Sequence, residues 1–358
     1  MAITALSTLS LARQTRTSIA TMQAEMQVLQ QEVSTGRKHD VAGQVGSRTA
    51  GLLDLRNVRQ DLAAYKDALQ SQASRLTTMQ DALGHVRTAA TKVRDLALGV
   101  SGSGTGAAAA TIDEAARDAL KTVTSMLNAS QSGRFLFAGT RFDQRPVQPA
   151  DEVSPSGLSP NQAVAQVLAA FGPVTNAADV DALIDGPNGL ASLFNDGYDP
   201  NGDGVPDAGN FTGTFFQGST QRVVSRAEAD VPITYAVTAG DQPVRDLLMG
   251  LHLMSALPND SVPTDAYKRV AERGWQMVTS AMDRLVETQG ILGLEEETVA
   301  RTGDRLEIQS TLISTQIVRL EEADPYQTSL RLNTLQTQLE ATFAITAKVG
   351  RLSLVDYM

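Results

Sequence analysis

The sequence predicts a mainly α protein with an inserted α+β domain, its N- and C-terminal arms forming an elongated antiparallel helical bundle. Three observations carry that prediction. The apolar positions Leu55, Val58, Leu62, Tyr65, Leu69, Leu76, Met79, Leu83, Val86 and Val93 advance in steps of three and four, with Gln72 and Ala90 in the gaps. This is a heptad seam. Near the other end Val299, Leu306, Ile313 and Leu320 recur every seven residues, a narrow stripe that another helix must cover. Between the arms, residues 141 to 245 are rich in Pro, Gly and Asp and read as a compact, turn-rich insertion.

Residues 3 to 34 read as a first helix, because Ile19, Met22, Met26, Leu29 and Val33 keep the three-four alternation. Ser34-Thr35-Gly36-Arg37-Lys38 supplies the stop, with Gly36 suited to the left-handed position after a helix. A loop to about Gly46 leads into a second helix from Ser47 to Leu98, whose 52 residues would span roughly 75 to 80 Å. Ser101 to Gly106 breaks it, and residues 107 to 131 return as helix, so an antiparallel hairpin is the simplest geometry. Gly133-Arg134-Phe135-Leu136-Phe137-Ala138-Gly139-Thr140 suits an extended segment, with Phe135 and Phe137 either core or a contact with a neighbouring subunit. It is no phosphate loop, since the glycine spacing is wrong and no Lys-Ser/Thr follows.

In the insertion, 160 to 171 and 178 to 185 read as short helices, and Phe211 to Phe216, Arg222 to Ser225 and Val231 to Val237 as strands. Helix resumes near Val244 and again from Ala266 to Gln289, where Trp275 sits among Val270, Met277, Val278 and Met282 as core, and is followed by the 294 to 322 heptads. Asp324-Pro325 then starts a last helix to about 349: Asp is a good N-cap and Pro suits the first turn. Leu332, Leu335, Leu339 and Phe343 share one face of it.

Composition narrows the function. The 358 residues suffice for real cores, and no run of apolar residues is long enough for a membrane span or a Sec signal. Residues 1 to 24 hold no acid and two arginines, Arg13 and Arg16, which fits a transit peptide, an unfolded secretion leader or a plain helix start alike. With no cysteine, disulfides and Cys-based metal or redox sites are excluded. Arg141 to Asp265 carries 16 acids and 5 arginines, a net of −11 within a chain of −10, so nucleic acid is not an expected partner.

Chemistry is sparse. His39, His85 and His252 lie far apart and none falls in a metal-protease motif, so an enzyme is not expected. The one site-like stretch is Asp199-Pro200-Asn201-Gly202-Asp203-Gly204-Val205-Pro206-Asp207. Oxygens at its first, third and fifth positions and glycine at the sixth suit a calcium loop with Asp199, Asn201, Asp203 and Asp207 as ligands. Asn210 stands where a bidentate Glu belongs, and prolines occupy the second and eighth positions, so a plain Asp/Asn/Gly turn is the competing reading. No other cofactor is expected.

Three stretches carry a family resemblance: Ser34 to Lys38 after the first helix, the Gly133 to Thr140 segment, and the ending Ala344-Ile345-Thr346-Ala347-Lys348-Val349-Gly350-Arg351-Leu352-Ser353-Leu354. With them the chain resembles the flagellin superfamily, and within it the hook-associated protein 3 (FlgL) family; the Gly133 segment separates it from flagellin. His39-Asp40-Val41-Ala42-Gly43 departs from the family's usual acidic, small-residue stretch. The resemblance implies an extracellular structural subunit of the bacterial flagellum, exported unfolded by the flagellar type III apparatus. Its place would be the hook-filament junction, in a layer of its own copies between hook-associated protein 1 (FlgK) and flagellin, after escort by an export chaperone of FlgN type. It also implies layers: terminal axial helices at 1–35 and 324–358 inside, a helical rod at 36–140 and 245–323, and an outer inserted domain at 141–244. Ile19, Met22, Met26, Leu29, Val33, Leu332, Leu335, Leu339 and Phe343 would then form the assembly interface. The alternatives are a flagellin proper, or a secreted coiled-coil adhesin or effector.

Overall fold

The long apolar periodicities become long helices. In the computed structural model, which describes residues 2–103, 109–204, 207–228, 231–234, 237–258 and 260–355, α1 spans Ala2–Thr35, α2 Val41–Val45, α3 Thr49–Ser103 and α4 Ala109–Leu127. A two-residue hairpin follows, β1 Ser130–Gln131 with β2 Arg134–Phe135, and then α5 Pro160–Phe171, α6 Ala177–Asp185 and α7 Leu190–Phe194. An antiparallel pair, β3 Val224–Glu228 and β4 Val231–Thr234, precedes α8 Gln242–Ala256, α9 Thr264–Glu321 and α10 Pro325–Val355. The chain is therefore mainly α. It divides into two compact units, Met1–Ala64 with Arg305–Met358, and Tyr65–Asp304.

The punctuation residues act where the sequence places them. Gly36 adopts φ +67° and its N–H closes α1 on the Glu32 carbonyl at 2.8 Å. Asp324 Oδ1 accepts from the N–H groups of Tyr326 and Gln327, opening α10 with Pro325 in its first turn. Ser159 and Gln162 form a capping box on α5, and Asn176 and Asp179 on α6. Hydrogen bonds from the Thr175 hydroxyl and N–H hold the Asp179 carboxyl below the usual carboxylate range. Of the expected break at Ser101 to Gly106, α3 continues through Ser103 and the rest lies outside the described residues.

In the larger unit the seam of α3 is doubled. Leu69, Leu76, Leu83, Ala90 and Ala97 form one buried line, and Met79, Val86, Val93 and Val100 the other. Tyr65 continues the second line but is 38% exposed, and Val58, in the smaller unit, is 43% exposed, so neither is a buried seam residue. The hairpin after α4 meets α3 at Ser74, whose hydroxyl accepts from Gln131 Nε2 at 2.8 Å. Helix α9 runs unbroken through both stretches that the sequence suggested separately, and Gln80 Nε2 donates to the Gln289 carbonyl at 2.8 Å between α3 and α9. Trp275 is half-buried, its Nε1 enclosed without a partner, so it is less of a core residue than its neighbours suggest.

The expected strand at Phe211 to Phe216 is instead a turn with extended Thr212 (φ −70°, ψ 122°) and Gly213 at φ +95°, closed by Phe216 N–H on the Phe211 carbonyl at 2.9 Å. The turn buries all three phenylalanines, 211, 215 and 216, where a regular strand would place 216 on the opposite face from 211 and 215. Phe194 meets Phe211 and Phe215 at 5.9 and 4.7 Å between ring centroids. Arg245 locks this cluster: its guanidinium lies 4.4 Å above the Phe211 ring and donates to Asp196 Oδ2, to the Phe194 carbonyl and to the Gly240 carbonyl. Phe137 is fully buried, whereas Phe135 is only half-buried.

His252 is enclosed in the same core, 5.4 Å from the Phe215 ring, and burial pushes its pKa down from 6.5 to about 4. It is neutral in the fold, whereas the unfolded chain takes up a proton below about pH 6.5. Stability is therefore present in full above that pH and is lost as pH falls toward 4. At about 1.4 kcal/mol per unit the whole window amounts to about 3 kcal/mol. Urea unfolding of His252→Leu between pH 7.5 and 4.5 is expected to show a flatter pH dependence than the native chain, and parallel curves would contradict this.

Candidate assembly surface

The Ser34 to Lys38 stretch builds a corner. Ala323 N–H donates to the Gly36 carbonyl at 3.0 Å, and Lys38 N–H to the Glu321 carbonyl at 2.9 Å, so the end of α1 is stitched antiparallel to the α9–α10 connection. The buried Glu321 carboxylate accepts from Arg37 Nη2 at 2.8 Å on one oxygen and from Arg56 Nε at 2.9 Å on the other. Lys38 Nζ reaches the Leu320 carbonyl at 2.9 Å. The departing His39 to Gly43 stretch is accommodated by α2, which Asp40 caps through Gly43 N–H, while Glu32 Oε1 accepts from His39 N–H and Gln44 Nε2. Sequence reasoning found the motif but missed Glu321 and Arg56. Their pairing across 265 positions has no local signal.

From that corner α1 and α10 run side by side, joined also by Arg331 Nε donating to Glu25 Oε1 at 2.9 Å. Of the nine residues assigned to the interface, only Leu29 and Leu335 are buried, at 7% and 8% exposure. Ile19, Met22, Met26, Leu332 and Leu339 are half-covered, and Val33 and Phe343 stand 43% and 47% exposed. The two stripes thus cover each other incompletely. Tyr326, Leu330 and Ile345 on α10, Leu53 and Val58 on α3, and Ile308, Leu312 and Val318 on α9 are exposed as well. Ten of the 19 large exposed apolar side chains among the described residues fall in the smaller unit, which holds about a third of the chain. That density exceeds what isolated surface apolar residues explain. Ile308 and Leu312, one turn apart and off the heptad line, were not legible as surface.

The Asp199 to Asp207 loop closes on itself. Asp199 Oδ1 and Oδ2 accept from Gly202 and Gly204 N–H, each at 2.8 Å, Asn201 Oδ1 accepts from Asp203 N–H at 2.9 Å, and Asn201 Nδ2 donates to Asp207 Oδ1 at 3.3 Å. Gly202 and Gly204, at φ +72° and +79°, permit the turn. Backbone amides thus fix the Asp199 and Asn201 side chains within the turn. Among the described residues no group of three or more His, Asp or Glu is placed to hold a metal ion. On the turn reading the thermal midpoint stays unchanged in millimolar calcium; a rise that disappears in Asp203→Ala would establish a calcium site instead.

His39, His85 and His252 do not converge on a shared site: His39 is exposed, His252 is sealed among phenylalanines, and His85 lines a shallow groove with Lys92 and Asp118. No helix among the described residues is long and apolar enough to cross a membrane.

Two family models match the chain: the N-terminal helical region of bacterial flagellin over residues 6–141, and the C-terminal helical region over residues 275–358. Solved structures similar to it include a putative flagellar hook-associated protein from Vibrio parahaemolyticus, at 14% identity and TM-score 0.40, covering 74% of this chain and 97% of that one. FlgL from Bacillus cereus is similar at 15% identity and TM-score 0.42, covering 76% of this chain and 99% of that one. No curated protein matches the chain.

Proposed function

Because this chain belongs to the flagellin superfamily, we propose that it is a non-catalytic structural subunit forming the hook-filament junction of the bacterial flagellum. The observation that carries this reading is the incompletely covered apolar surface of the unit built from both chain ends. A free subunit gains nothing from exposing those side chains; a subunit that packs among copies of itself buries them. Junction rather than filament rests on the resemblance of Gly133 to Thr140 to the hook-associated protein 3 family. In this reading the subunit is exported unfolded by the flagellar type III apparatus with a chaperone of FlgN type. It then assembles outside the cell between hook-associated protein 1 (FlgK) and flagellin. The absence of cysteine suits that route, since no crosslink can form in transit.

Electron microscopy of a deletion strain tests this. A junction subunit leaves hooks without filaments and intact flagellin in the medium, restored by the wild-type gene. Normal filaments, or bare hooks with no filament subunit secreted, would overturn the assignment.

A further inference from the structure

The larger unit contains a small cationic cleft where α3 meets the hairpin. Its volume is about 60 Å³, and its walls include Arg75 from α3, Arg134 and Phe135 from β2, and Phe142. That is too small for a metabolite, whose pockets run to roughly 300 Å³ or more. It is about the room that a carboxylate head and one water occupy. The Arg134 guanidinium lies 4.3 Å over the Phe142 ring, which holds its plane while leaving its edge free. Arg75 Nε is enclosed and has no hydrogen-bond partner. Among the described residues neither arginine makes an ion pair, and no acid lines the cleft.

We propose that this cleft receives an aspartate or glutamate side chain from a second copy of this chain. The planar fork of arginine matches a carboxylate with two parallel hydrogen bonds, and a donor enclosed without a partner is costly until such a group arrives. The chain also supplies the acid. Arg141 to Asp265 carries 16 acids against 5 arginines, a net charge opposite in sign to the cleft. The proposal rests on the reading of the chain as a subunit that packs among its copies, and it adds a polar contact specific in sign to the apolar one.

The test is self-association of the purified full chain by sedimentation velocity from 10 to 300 μM protein at 20 mM and 300 mM salt, concentrations set by roughly the Debye-length range that screens such contacts. Wild type is expected to associate, more weakly at the higher salt. Arg134→Glu and the double variant Arg75→Ala/Arg134→Ala are expected to associate roughly tenfold or more weakly, while Arg134→Lys falls between. Matching circular dichroism and thermal midpoints would show that the variants fold. Association of folded variants equal to wild type overturns the proposal, as does a wild-type chain that stays monomeric throughout. Either result leaves the deletion-strain phenotype unaffected, so the two readings fail separately.

Discussion

Aspartate at both Leu335 and Leu339 is expected to abolish filament attachment and motility while leaving the larger unit folded. Leu335 is 8% exposed on the face of α10 that runs along α1, and Leu339 is half-covered one turn on. A carboxylate in the place of Leu335 has no cation provided for it, since Arg331 is already paired with Glu25. An uncompensated buried charge costs about 3 kcal/mol or more, which the sparse contacts of α1 with α10 cannot absorb. Swimming assays of the complemented deletion strain read the loss, and the far-ultraviolet circular dichroism of the purified variant shows whether the remaining helices persist. Normal motility with attached filaments would show that this helix pair is not an assembly surface.

Gly139→Ala is expected to destabilise the larger unit by about 3 kcal/mol or more, whereas Gly133→Ala costs about 1 kcal/mol. Both glycines have positive φ, +59° and +75°, so each substitution carries the left-handed strain. Only at Gly139 does a Cβ also meet backbone, 2.0 Å from the Ser219 carbonyl oxygen and 2.6 Å from that of Gln221. The two segments are fastened there by Ser219 N–H to the Ala138 carbonyl and Thr140 N–H to the Gln221 carbonyl, so neither side yields cheaply. Around Gly133 the space is open. Denaturant unfolding of the two variants measures the difference, and equal losses would refute the close-approach explanation.

What the sequence discloses here follows from how local each cause is. The Ser159-Pro160 and Asp324-Pro325 starts were legible because a cap acts within one turn of its own residue. The long seams were legible because a heptad repeats its message many times over. Val58 and Tyr65 misled because periodicity records which face is apolar and says nothing of what covers it. Phe211 to Phe216 misled because a glycine-centred turn and a strand share short aromatic runs, and only the distant Phe194 and Arg245 favour the turn. The candidate surface was half legible: its seam residues are periodic, but the extra apolar positions Ile308, Leu312 and Leu330 differ from core residues only in having nothing opposite them.

Amide hydrogen exchange across assembly tests most directly whether the terminal helices are an unfinished surface. In the free chain, verified as a monomer, residues 13–35 and 325–348 bury only Leu29 and Leu335 among their seam positions. Helices so lightly packed have low local stability. They should exchange far faster than α8, ten of whose fifteen residues are buried, and become protected once the subunit is incorporated into flagella. Protection equal to that of α8 in the monomer, unchanged on incorporation, would contradict the account.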